Sequence, residues 1–183
     1  MAYISVPEGV PGIRSLVTFR PESGKSLYAL AQILLRGESP LTPAERELIA
    51  THVSSRNDCT FCMMSHAAAA RELFGEQRDV VDCVITDVNS APLNNKMKAL
   101  LNIAAKVQQS GKLVTQQDID EARKQGANDR DIHDTVLIAA TFSMFNRYVD
   151  GLASFTPTDP KAYEEMGKRM TTLGYVLPQP VKN

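Results

Sequence analysis

Cys59, Cys62 and His66 stand at positions i, i+3 and i+7 of one short segment, NDCTFCMMSH. On an α-helix these positions share a face. Two thiols and an imidazole so placed allow three kinds of chemistry. They can supply three of the four ligands of a tetrahedral zinc site, with Cys83, His52 or Glu47 as the fourth. They can be two small apolar groups and a satisfied histidine in a helical core. Or they can be a working dithiol, with a histidine that takes the thiol proton or holds the thiolate as an ion pair.

Local physics favours the dithiol. Structural zinc sites usually draw a cysteine pair from a tight knuckle and a second pair from elsewhere, and here Cys83 stands alone between Val81, Val84 and Ile85. Helix N-termini are seldom deeply buried, so the pair is expected to be accessible. With Asn57 or Asp58 as cap, Cys59 falls in the first turn and Cys62 just beyond it. Unpaired N–H groups and the positive end of the helix dipole favour thiolate there. A Cys-x-x-Cys pair in that setting can have a thiol pKa of about 7 rather than ~8.5. Such a shift is worth ~2 kcal/mol in favour of the thiolate. The same turn brings two sulfurs close enough for a reversible disulfide. Cys83 is expected to be a buried inert thiol, and His52 and His133 to be packing or interface residues.

The elements that must hold these groups are helical. Leu27, Leu30, Ala31, Leu34 and Leu35 recur at helical spacing from Ser26 to Arg36, and Gly37 stops the run. Thr42, Pro43 and Glu45 form a capping box that opens the next helix. Glu45 thereby has a structural task, whereas Glu47 has none. The thiol helix follows and ends at Gly75, and the two segments form a helical hairpin. A short helix over 76–86, an amphipathic one over 96–109, a capped one after Thr115, a long one from Asp129 to Asp150 and a last one from Asp159 to about Leu173 complete the pattern. No segment alternates with period two for long enough to be a strand, so the predicted class is all-α, a bundle of helical hairpins. Thr115, Asp118 and Asn128 echo Thr42, Glu45 and Asn57, which raises an internal duplication with His133 where Cys62 stands.

Three regions are expected: an irregular N-terminal arm over 1–24, rich in Pro and Gly; a helical core over 25–155; and a C-terminal helix with an extended tail over 156–183. Gly24-Lys25-Ser26 has the ending of a phosphate loop, but Phe19 stands where that motif needs Gly, and a turn that starts a helix is the expectation. Composition narrows the function. The formal net charge is −1 with no basic cluster, so neither nucleic acid nor an anionic membrane has an electrostatic basis as partner. An odd number of cysteines, without a secretory pattern in MAYISVPEGVPGIRS, points to a reducing, cytoplasmic setting. Apolar runs are too short for a membrane helix. No haem or flavin motif appears, so cofactor-free chemistry is expected.

With Glu47 added, the frame ERELIATHVSSRNDCTFCMMSH resembles the alkylhydroperoxidase D-like and carboxymuconolactone decarboxylase-like superfamily, in its peroxidase-related branch. DRDIHDTVLIAATFSMFNRYVDGL is similar to that family's last core helix, with Asn146-Arg147 in a familiar place. The resemblance spans about residues 25–155. It implies an all-α fold assembled as a homo-oligomer (dimer, trimer or hexamer) and a thiol peroxidase or disulfide reductase acting in antioxidant defence. It further implies that Cys62 is the peroxidatic thiol that becomes a sulfenic acid, that Cys59 is the resolving thiol and proton donor, and that His66 and Glu47 form a proton relay. The substrate would be a small hydroperoxide and the reductant an external dithiol or thiol protein. Phe61 departs from the pattern of the best-known peroxidases, which have a relay histidine just before the second cysteine. Two alternatives stand beside this reading: a decarboxylase-like lyase or isomerase on a small lactone, which needs a base but no thiols, and a non-enzymatic oligomeric redox sensor.

Overall fold

Five helices begin where a side chain accepts a hydrogen bond from the backbone of the first turn. These caps are Thr42, Asn94, Thr115, Asn128 and Asp159. Thr42 with Glu45, Thr115 with Asp118 and Asn128 with Asp131 close full reciprocal boxes. The computed structural model describes residues 2–177. Among them run nine α-helices and no strand: α1 (Ile13–Phe19), α2 (Pro21–Arg36), α3 (Pro43–Arg56), α4 (Thr60–Phe74), α5 (Val80–Thr86), α6 (Asn95–Gln109), α7 (Gln116–Lys124), α8 (Asp129–Gly151) and α9 (Pro160–Leu173). Single 3₁₀ turns lie at Gly75–Gln77 and Gly111–Leu113.

The stretch expected to be irregular carries α1 and the first turn of α2. Pro21 occupies the first turn of α2, where a missing N–H costs nothing, and Gly24-Lys25-Ser26 lies inside that helix rather than at its start. α1 has no side-chain cap and is held by burying Leu16 and Val17. The short helix expected over 76–86 divides into the 3₁₀ turn and α5. The two hairpins that echo each other differ in size, α3 and α4 having 14 and 15 residues and α7 and α8 having 9 and 23. Tyr175–Leu177 belong to no helix, and the remainder of the expected extended tail lies outside the described residues.

α3 is the centre of the molecule. Nearly every residue from Ala44 to Ser54 is buried, including Arg46, whose guanidinium donates to the carbonyls of Leu34 and Gly37 and so fixes the end of α2. The most extensive helix pairs are α3 with α4, α4 with α9, and α6 with α8. Two apolar clusters result. The larger joins α2, α3, α5, α6 and α8. The smaller gathers Leu16, Cys59, Phe61, Cys62, Val149, Tyr163 and Met166 around the start of α4.

α9 reaches α4 closely because small residues meet at the crossing. A Cβ on Gly167 would stand 2.8 Å from the carbonyl carbon of Ala68 and 2.9 Å from its Cβ. The helix preference of Ala over Gly is worth about 1 kcal/mol, but overpacking against backbone that cannot yield costs about 1–3 kcal/mol. Gly167→Ala is therefore expected to lower the unfolding free energy by about 1 kcal/mol or more, despite the better helix former. Urea denaturation reads this directly, and a more stable variant would refute the close approach.

Candidate active site

The turn between α3 and α4 sets the thiols. Asn57 ends α3, and Asp58 takes φ 56°, a left-handed conformation that Asp tolerates better than most residues. Neither caps α4; the N-cap is Cys59 itself, and Cys62 lies in the first turn. The Asn57 side chain is engaged elsewhere: its amide donates to Asn146 Oδ1 at 2.8 Å, and Asn146 donates to Ser54 Oγ at 3.0 Å. These bonds clamp the turn to α8 just before the first thiol.

The expectation of an open helix N-terminus is overturned. Cys59 is 0% and Cys62 3% exposed, because α1, α8 and α9 close over the start of α4. Both are free thiols. Cys62 nevertheless lines a cavity of about 60 Å³, together with His66, Phe142, Met166, Met170 and Tyr175. Cys59 is not among its lining residues. That space holds a few waters or one small polar head group. The Cys59 thiol is pushed well up by its hydrogen bond to the Cys62 sulfur, by burial and by the nearby Cys62 charge, with Asp150 adding to the effect. Cys59 thus keeps its proton.

His66 lies one turn after Cys62, and helical side chains lean toward the N-terminus, so its ring reaches back over the thiol turn. Its Nδ1 meets Glu47 Oε2 at 2.7 Å. Glu47 is fully buried on α3, and Arg36 Nη2 and Tyr175 Oη each donate to Oε1 at 2.6 Å. Burial alone would raise the Glu47 carboxyl. The charge and hydrogen bond of His66, with Arg36 and Tyr175, outweigh it and hold the carboxyl below its ordinary value. Tyr175 is pushed well above the ordinary tyrosine value by burial and by the Glu47 charge, so its hydroxyl remains a donor. An ionised carboxylate only accepts, so Nδ1 carries the proton toward Glu47. Among the described residues Nε2 makes no hydrogen bond, which leaves it as the basic nitrogen. Phe142 meets the imidazole edge-on, with centroids 4.5 Å apart, and Tyr175 stacks along it at 6.1 Å.

The structure thus gathers Cys59, Cys62, His66 and Glu47, all four residues singled out in the sequence, and adds two that reasoning from sequence missed. Arg36 looked like an ordinary basic residue in a last helical turn, and Tyr175 like part of a tail. Phe61, in the place of a relay histidine, packs beside Tyr163 and against Gly12, where any side chain would run into its ring. The other candidates lie apart. Cys83 is partly buried against the larger cluster. His133 is exposed and bonded to Asp134. His52 lines a separate cavity, and burial first and Arg56 second bring it down to about 4, so it is neutral near pH 7. Among the described residues no group of three or more His, Cys, Asp or Glu converges as a metal site.

Because the folded Glu47 carboxyl titrates below its ordinary value of 4.5, its stabilisation is fully present above pH ~4.5 and is lost as pH falls through the lower, folded value. Glu47→Gln leaves Arg36 and His66 facing a neutral amide, and is expected to cost about 3–5 kcal/mol at pH 7. The difference from wild type should shrink as pH falls below about 4.5, where the unfolded carboxyl takes up a proton that the folded one resists. Urea melts at pH 7 and pH 3 check both parts, and a difference independent of pH would contradict the ionised carboxylate.

Comparisons with known proteins converge on one family and one fold. Residues 21–106 match the model of the carboxymuconolactone decarboxylase family, a span holding Arg36, Glu47, Cys59, Cys62 and His66 but not Tyr175. No curated protein matches the chain. Among solved structures, an uncharacterized peroxidase-related protein from Silicibacter sp. TM1040 is 32% identical, with a TM-score of 0.76 over 85% of this chain and 79% of that one. An uncharacterized peroxidase-related protein from Ralstonia eutropha JMP134, described as an alkylhydroperoxidase AhpD core, is 26% identical, with a TM-score of 0.76 over 87% and 82%. A protein of unknown function from Agrobacterium tumefaciens shares the fold at 20% identity, with a TM-score of 0.67 over 79% and 97%. A third of the residues shared with a peroxidase-related protein across most of both chains, on the same all-helical frame, establishes that the chain belongs to the alkylhydroperoxidase D-like and carboxymuconolactone decarboxylase-like superfamily, in its peroxidase-related branch.

Proposed function

We propose that the protein is a thiol-dependent hydroperoxidase of the cytoplasm, in which Cys62 is the attacking sulfur, Cys59 the resolving thiol, and His66 and Glu47 the proton relay. The supporting observation is the division of the two sulfurs: Cys62 lines the cavity together with His66, while Cys59 is fully buried and does not line it. Burial of both thiols suits a reaction that must keep water and bulky thiols away from a sulfenic acid.

The chemistry balances on these groups. His66 Nε2 takes the Cys62 proton, with the imidazolium held by Glu47 through Nδ1. The thiolate attacks the outer peroxide oxygen; an S–O bond forms and the O–O bond breaks. His66 returns the proton to the departing alkoxide, giving an alcohol and Cys62 sulfenic acid. Cys59 then attacks that sulfur, its proton leaves with the hydroxyl as water, and the disulfide closes. The two thiols supply both electrons, and an external dithiol is oxidised when it restores them. Phe61 contributes no proton, so His66 and Cys59 carry the transfers that a histidine at that position would otherwise share.

The test is steady-state reduction of hydrogen peroxide and tert-butyl hydroperoxide with dithiothreitol. Cys62→Ser is expected to lose at least about 100-fold in turnover. Cys59→Ser should stop after one turnover, with a sulfenic acid on Cys62 trapped by dimedone and seen by mass spectrometry. Equal rates in wild type and Cys62→Ser would end the proposal.

We further propose a homo-oligomer. Ile33, Leu173 and Val176 are 50–64% exposed, near the hydrogen bond from the Tyr175 amide to Gln32, and together form an apolar surface next to the relay. Sedimentation equilibrium is expected to give a multiple of 20.1 kDa, and Ile33→Asp with Leu173→Asp a monomer.

A further inference from the structure

The cavity that holds Cys62 has a second polar feature that the thiol chemistry does not use. Arg14 of α1 and Arg169 of α9 both line it, and no acidic residue does. Neither guanidinium forms an ion pair, and neither donates a hydrogen bond, among the described residues. The Nε of each is buried without a partner. The neighbouring guanidinium groups differ in that their terminal nitrogens are engaged: Arg36 donates to Glu47 and to two carbonyls, although its Nε too lacks a partner, and Arg46 donates to the carbonyls of Thr42, Leu34 and Gly37. Tyr28 of α2, 7% exposed, lines the same wall, and its hydroxyl makes no hydrogen bond among the described residues. Burial raises that hydroxyl and both guanidinium charges pull it partly back, so the three groups are electrostatic neighbours.

Arg14 and Arg169 are half-buried, and their unpaired, buried Nε groups beside an apolar cavity leave donors that an anionic group would complete. Each offers planar, forked donors suited to a carboxylate. We propose that Arg14, Arg169 and Tyr28 form a carboxylate-binding subsite, and that the substrate is a small hydroperoxide carrying a carboxylate, its peroxide end at Cys62. This deepens the reading of the cavity as a substrate chamber and rests on it. Small volume fits the assignment: about 60 Å³ admits a short chain and no bulky one, so charge rather than apolar area must supply affinity. Both arginines come from outside the segment matched by the family model, so the subsite belongs to the enclosure that α1 and α9 build over the thiols.

Two probes separate this inference from the peroxidase reading. The first is a matched pair, 4-hydroperoxy-4-methylpentanoate and its methyl ester. The acid is expected to be reduced with at least about 10-fold higher kcat/KM than the ester. The double variant Arg14→Gln with Arg169→Gln should erase that ratio, acid and ester then being reduced with the same kcat/KM, and Arg14→Lys with Arg169→Lys should restore part of it. The second probe is 4,4-dimethylpentanoate, which carries no oxidant; calorimetric titration should show binding to wild type that weakens with salt and is lost in the double Gln variant. Equal kcat/KM for acid and ester, with no binding of the carboxylate, would overturn the subsite while leaving the peroxidase standing. Arginine-dependent binding of the carboxylate without reduction of either hydroperoxide would keep the subsite and overturn the peroxidase.

Discussion

One buried carboxylate organises this molecule. Glu47 sits at the centre of α3 with no exposure, and an isolated charge in that position would be expensive enough that the carboxyl would keep its proton instead. Three donors from three separate parts of the chain prevent this: Arg36 at the end of α2, His66 on α4 and Tyr175 beyond α9. The same bonds that satisfy the charge fix the histidine tautomer. They also pin the last described residues onto the bundle, so the polar centre and the closure of the cavity are one construction. Satisfying the carboxylate and readying the imidazole are therefore not separate demands on the sequence.

Two effects oppose each other at the sulfurs. The start of a helix and a nearby imidazole favour thiolate, whereas burial favours thiol. The arrangement resolves the conflict by giving the two cysteines different surroundings. Cys62 has the cavity and His66; Cys59 has the N-cap position, the Cys62 sulfur and Asp150. A pair that looks symmetrical as Cys-x-x-Cys is therefore asymmetrical in space.

Much of this was legible from the residues alone, for identifiable reasons. Cys59, Cys62 and His66 lie within two turns, so helical spacing places them on one face without any knowledge of tertiary structure. Glu47 stood out because Glu45 already had a capping partner, and the structure puts Glu45 in its capping box and Glu47 against His66. Arg36 and Tyr175 were illegible because their significance is entirely tertiary, Tyr175 lying 128 residues from the carboxylate that it contacts. The burial of the thiols was missed because it depends on α1 and α9, and α1 is a seven-residue helix without a side-chain cap, hidden in a stretch dense in Pro and Gly. Pro21, within that stretch, suits the first turn of α2 rather than interrupting a helix.

The crossing of α9 over α4 at Gly167 has a further consequence. The reacting groups sit on α3 and α4, inside the family-matched span, whereas Arg14, Met166, Arg169 and Tyr175 that wall them in come from the two ends of the chain. The stretch that carries the cysteines and the stretches that enclose them are thus encoded apart, and they meet along α4 and α9 and at the shared carboxylate. On the function proposed above, redrawing the terminal segments would alter which ligand is admitted while leaving Cys62, His66 and Glu47 in place.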